Sequence, residues 1–175
     1  MDADILVLAL NPGFSQGDAA VHSTPVYQRL WRSNIAQTID DFPLFLIHPD
    51  LKDTPCHAWW TKNLRHIIGL FGERHVAQSI LAVQLFPYHS RAFKCPKERL
   101  PSQEFSVRLV RSAIQRSATI IIMRSRAIWE KYLPELATYR YVFQLRNPRN
   151  VVLSPNNFVS GFESVVEAIR RASTH

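Results

Sequence analysis

Ile5-Leu6-Val7-Leu8-Ala9-Leu10-Asn11-Pro12-Gly13-Phe14-Ser15 is the stretch that decides how this chain is read. Six apolar residues follow one another without alternation, so the strand they form is expected to be covered on both faces, as in a parallel sheet between helices. Pro12 then removes a backbone donor, and Gly13 permits a positive φ, so the strand stops in a turn. Ligands of open α/β sheets bind beyond the carboxyl ends of the strands. The amide of Asn11 and the ring of Phe14 therefore fall where such proteins place their chemistry.

Working outward, strand-like runs recur at Leu44–Ile47, Ile80–Leu85, Thr119–Met123 and Tyr141–Leu145. Helical patterns lie between them, over Pro25–Asp40, His57–Leu70, Gln103–Ser117, Arg126–Tyr132 and Gly161–Ala172. The last helix carries Phe162, Val165, Val166 and Ile169 on one side, with Ser160 placed to cap it. This alternation predicts an α/β protein: a three-layer α/β/α sandwich around a central, mainly parallel sheet of four to five strands. The 175 residues fit one domain over 1–175.

Composition narrows the function. Lys and Arg number 21 against 14 Asp and Glu, a net charge of +7. That balance suits a polyanionic partner such as DNA, with an ordinary solvated basic surface as the plainer account. Cys56 and Cys95 are too few for a four-thiolate zinc site or an iron–sulfur cluster, and no metal or cofactor is expected. His57, His66 and His75 recur at nine-residue intervals, which is not ligand spacing on a helix, and His57 and His66 are expected on a helix surface. Two cysteines suit reduced thiols in a cytoplasmic protein. Asp2 and Asp4 stand where a signal peptide would be basic, and no apolar run nears the roughly 18 residues that span a bilayer. A cytoplasmic monomer with no membrane partner is expected. Phosphate-loop glycines and the Gly-x-Ser-x-Gly elbow of serine hydrolases are both absent.

Four strand ends carry polar groups of an active-site type: Asn11–Ser15, Gln84–Ser90, Met123–Arg126 and Asn147–Asn157. Each alone reads as a turn. In a parallel sheet all four share one edge and converge on one crevice.

The turn Ala9-Leu10-Asn11-Pro12-Gly13, followed far downstream by Val152-Leu153-Ser154-Pro155 ahead of the final helix, resembles the uracil-DNA glycosylase superfamily. The likeness is to its Asn-Pro-Gly branch of mismatch-specific and single-strand-selective enzymes, as a divergent member. The resemblance implies that Asn11 holds the water that attacks C1′ and that Phe14 stacks on a flipped base. It implies that backbone N–H groups near Phe14 and Ser15 meet a base carbonyl and that Gln84 reads the Watson–Crick edge. Ser154 and its neighbours would grip the phosphate or enter the duplex.

The sequence departs from that pattern. Ala9 replaces a glycine, the water-activating carboxylate of the most active branch is missing, and Val152 or Leu153 stands where a histidine donor is expected. Asn156 or Asn157 is the candidate substitute within that loop, and His89 is a candidate donor from another strand end. Arg124, Arg126, Arg146, Arg149, Lys94 and Lys97 are the candidate phosphate contacts. The expected activity is hydrolysis of the N-glycosidic bond of a deaminated or damaged base, uracil first, by base flipping. The alternatives are a nucleic-acid-binding module that lost the chemistry, and an enzyme acting on a small nucleoside.

Overall fold

The computed structural model describes residues 3–38 and 41–172. Asp2 and the last two residues of the helix expected over 25–40 lie outside them. The chain runs β1 (Ile5–Ala9), α1 (Asp18–His22), α2 (Pro25–Ile35), α3 (Pro55–Phe71), α4 (Glu73–Ser79) and β2 (Ile80–Gln84). It continues through α5 (Pro101–Gln115), β3 (Thr119–Ile122), α6 (Arg126–Tyr132), β4 (Val142–Gln144) and α7 (Phe162–Arg171). The four strands form one all-parallel sheet in the order β2-β1-β3-β4.

Every residue of β1 is buried, as its unbroken apolar run requires. Alternate side chains point to opposite faces of a strand. Ile5, Val7 and Ala9 pack with residues of α3, α4 and α7, and Leu6 and Leu8 pack with residues of α5 and α6. Two apolar layers thus sit back to back on one sheet, which makes the fold a three-layer α/β/α sandwich.

The helices start where local chemistry supplies a cap. Thr24 and Thr54 accept from the N–H groups of Tyr27 and His57, each followed by a proline at the first helical position. The expected cap at Ser160 is not used: α7 begins at Gly161, whose φ of 78° is left-handed and which makes no side-chain cap.

Leu44–Ile47 is not a fifth strand. It lies between Pro43 and Pro49, and Phe45–Ile47 is a single 3₁₀ turn. A four-residue apolar run has no periodicity that separates a strand from a buried helical turn. The short helices α1 and α4 were not expected; α4 contributes only Val76 and Ala77 to the core beneath it.

Candidate functional site

In the order β2-β1-β3-β4 the connections leave β1 toward one side and β3 toward the other. Such a reversal opens a crevice at the carboxyl ends of the strands. A cavity of about 510 Å³ lies there, within the range of small-molecule sites. It is lined by the whole first motif, residues 9–15, by Gln84 at the end of β2 and by Arg124 just past β3. Rings from the helical layer, among them Tyr27, Phe45 and Trp59, close it.

The first motif is held by the chain that follows β2. Leu85 N–H donates to Ala9 O at 3.1 Å, Phe86 to Leu10 O at 2.8 Å and Ser90 to Pro12 O at 3.2 Å. Trp129 Nε1 adds a bond to Ala9 O at 3.2 Å from beneath. This zipper sets the Asn11 side chain. Its Nδ2 donates to Pro12 O and to Ser90 Oγ, both at 2.8 Å, so both amide hydrogens are engaged and Oδ1 is left as an acceptor. Gly13 does not take the positive φ expected of it; a Cβ there would meet nothing within 4 Å. What its missing side chain keeps open is the cavity wall.

Ser15 N–H, expected to meet a base carbonyl, is already taken by the Asp18 carboxylate at 2.5 Å. Asp18 lines the cavity and was not singled out from the sequence. Its Ser-x-x-Asp spacing from Ser15, that of a capping box, is the sequence signal that could have found it. His89 Nδ1 lies 2.6 Å from Gly13 O. A carbonyl only accepts, so Nδ1 carries a proton and donates it to Gly13 O.

Aromatic rings run along the wall in an unbroken chain. Phe45 meets Tyr27 edge-on at 5.7 Å, and Tyr27 stacks on His22 at 4.4 Å. His22 tilts against His89 at 4.8 Å, and His89 meets Phe14 edge-on at 6.2 Å. Phe14 is only half-buried, so its ring is free to stack. Burial holds the His22 imidazole below its ordinary value; His89 adds to this and Asp18 opposes it. Burial, with Cys56 and Asp18, pushes the Tyr27 phenol up to about 12. Both groups are therefore neutral at pH 7.

Gln84 sits opposite Ala9 in the sheet register. Its Oε1 is buried without a hydrogen-bond partner, and among the described residues nothing pairs with its Nε2. An unpaired buried amide oxygen costs about 1–3 kcal/mol. Gln84 is thus a cavity-lining residue whose amide oxygen has no partner.

A scan against models of known protein families, a search of curated proteins and a search of solved structures each return no match. The site therefore stands on its own geometry.

Of the residues expected from the sequence, the structure brings Asn11, Phe14, Ser15, Gln84, His89 and Arg124 to one cavity. Ser154, Asn156, Asn157, Arg126 and Arg149 do not line it. The reason is packing. Val151, Val152 and Leu153 are core residues, and Leu153 N–H bonds Asn63 O of α3. The second motif is thus a strap laid along α3.

Ser154 is buried and opens a 3₁₀ turn, Pro155–Asn157. Asn157 spends its amide on the strap itself, donating to Asn150 O and Val152 O and accepting from Asn147 N–H. Arg126 is engaged by Glu130 at 2.6 Å and Gln144 at 3.1 Å, and Arg146 by the carbonyls of Phe158 and Val159. Asn156 and Arg149 are exposed outside the cavity.

His57 is buried at the start of α3 instead of lying on a helix surface, whereas His66 is exposed. Of the adjacent tryptophans, Trp60 belongs to the core and Trp59 is 38% exposed at the cavity. Among the described residues no group of three or more His, Cys, Asp or Glu is placed to hold a metal, and no helix is long and apolar enough to cross a membrane.

Proposed function

We propose that this chain is a DNA glycosylase: it accepts a flipped damaged base into the cavity at the β1–β3 switch point and hydrolyses its N-glycosidic bond with water. The observation that carries the reading is the pairing of Gln84 and Asn11. Gln84 lines the cavity with an amide whose Oε1 lacks a partner, and Asn11, its Nδ2 held by Pro12 O and Ser90 Oγ, presents an acceptor. A positioned acceptor orients a water, and a ring such as Phe14 supplies a stacking face for the extruded base. The turn Asn11-Pro12-Gly13 and its likeness to the uracil-DNA glycosylase superfamily support the same activity, with uracil as the first base to try. The charge of +7 suits the DNA backbone.

The test is release of base from oligonucleotides carrying uracil, hypoxanthine, xanthine, a G·T mismatch or an alkylated purine, read as alkali-labile strand breaks. Activity that Asn11→Ala abolishes supports the reading. No break with any of these substrates at high enzyme concentration overturns it.

One observation favours a second reading, a binding module without chemistry. The strap Val151–Leu153 is buried and offers no side-chain donor to a departing base. That reading expects salt-dependent binding to DNA with no base released.

A further inference from the structure

We infer that the base this cavity takes is a positively charged, N-alkylated purine in preference to a deaminated base; the inference rests on the glycosylase reading above. Two polar groups that line the cavity with Phe14 are left with acceptor oxygens. Asn11 has both amide hydrogens engaged, so Oδ1 remains. Asp18 uses Oδ2 on Ser15 N–H, so Oδ1 and the negative charge remain. Uracil and hypoxanthine offer such groups one ring N–H flanked by carbonyl oxygen, and they carry no positive charge. A 7-methylguanine or 3-methyladenine nucleotide brings an exocyclic amine and a delocalised positive charge.

The stacking face agrees. A planar cation is attracted to an aromatic face. The guanidinium of Arg91 already stands over Phe14, 5.7 Å from the ring centroid. An exposed arginine on a loop is easily displaced by a better-fitting planar cation. Arg124 also lines the cavity and would work against a cation if left free. The phosphate of the flipped nucleotide supplies its counter-charge.

The chemistry then fits the missing donor. With an alkylated purine the C1′–N9 bond breaks and its electron pair goes to N9, which cancels the positive charge on the ring. Water adds its oxygen to C1′ and gives up a proton to solvent. The base leaves neutral, so no hydrogen bond to a departing anion is needed. Val152 and Leu153, packed in the strap, bring no donor to the cavity, and this step requires none.

The test compares two substrates with one enzyme preparation: DNA methylated with dimethyl sulfate, with released 3-methyladenine and 7-methylguanine separated by chromatography, and a uracil-bearing oligonucleotide. Release of a methylated purine at least about tenfold faster than uracil is expected, the ratio that one cation–π contact with its charge partner supplies. Asp18→Asn, which keeps an oxygen for Ser15 N–H, should lower methylpurine release by a similar factor while the circular dichroism is unchanged. Release of uracil without methylpurines overturns this inference and leaves the glycosylase reading standing. Release of neither overturns both. Undiminished methylpurine release by a folded Asp18→Asn protein removes the charge argument.

Discussion

Asn11 Nδ2 and Ser90 Oγ lie 2.8 Å apart, although 79 residues separate them in the chain. The Pro12 carbonyl, which only accepts, sets which end of the Asn11 amide faces the cavity, and Ser90 Oγ holds it there. If that acceptor orients the attacking water, Asn11→Ala removes the water's partner, and single-turnover base release should fall by about 10²–10³. Ser90→Ala leaves the amide held by the Pro12 carbonyl alone. It should lower the rate less, and Ser90→Thr should restore it. Equal rates for Ser90→Ala and the parent protein would show that the contact does not position the group.

Gln84 sets stability against function. Its buried Oε1 has no partner. Gln84→Met keeps the volume and removes the unpaired oxygen, which is worth about 1–3 kcal/mol. The variant should melt higher, by about 2–4 °C for each kcal/mol in a chain of this size. It should also lose base release, because the edge-reading amide is gone. A lower melting temperature would mean that the amide is satisfied in the folded protein.

How much of this was open to a reader of the sequence divides along a physical line. The buried run Ile5–Leu10 and its neighbours specify a parallel sheet through local patterning, and they place Asn11, Gln84 and Arg124 on one edge because parallel strands share it. The role of Val152-Leu153-Ser154-Pro155 was not legible. Whether a strand-end loop reaches a crevice or packs along a helix depends on the bond from Leu153 N–H to Asn63 O, a contact across 90 residues that no local pattern encodes. Asp18 lay in between. Its spacing from Ser15 reads as a cap, but only the fold shows that the same carboxylate faces a cavity.

Two glycines should behave oppositely. Gly161 has φ of 78°, and a Cβ there would overlap the Phe143 ring. A left-handed non-glycine residue alone costs about 1–3 kcal/mol. Gly161→Ala should therefore lower the free energy of unfolding, read from urea unfolding, by at least that amount, because β4 and α7 must also part. Gly13→Ala has open space and no positive φ, so its folding free energy should change by less than about 0.5 kcal/mol. Its base release should fall, since the methyl group stands on the cavity wall.

The ring chain predicts how stability varies with pH. The folded protein holds His22 below its ordinary value, so between that depressed value and about 6.5 the unfolded chain binds the proton more readily. Stability is therefore full above about pH 6.5 and is lost as pH falls toward the folded value. His22→Gln should flatten the melting-temperature profile between pH 7 and 5. Tyr27 acts at the other end. Its phenol titrates near 12, so the unfolded chain ionises first and stability falls as pH rises past about 10. Absorbance of tyrosinate should show one residue ionising late, and Tyr27→Phe should remove it.

Salt dependence tests which cations meet phosphate. Among the described residues, Arg91, Lys94, Lys97 and Arg124 have no carboxylate partner, whereas Arg126 is paired with Glu130. Four phosphate contacts give a slope near −3.6 for log affinity against log salt, so binding should weaken by about two orders of magnitude between 50 and 200 mM. Arg124→Ala should reduce that slope by about one contact's share. Arg126→Ala should leave it unchanged, because its charge is already neutralised by Glu130 and its other nitrogen is held by Gln144. Fluorescence anisotropy with a labelled double-stranded oligonucleotide measures both slopes. If Arg126→Ala flattens the slope and Arg124→Ala does not, DNA crosses the protein on the β4 side, away from the cavity.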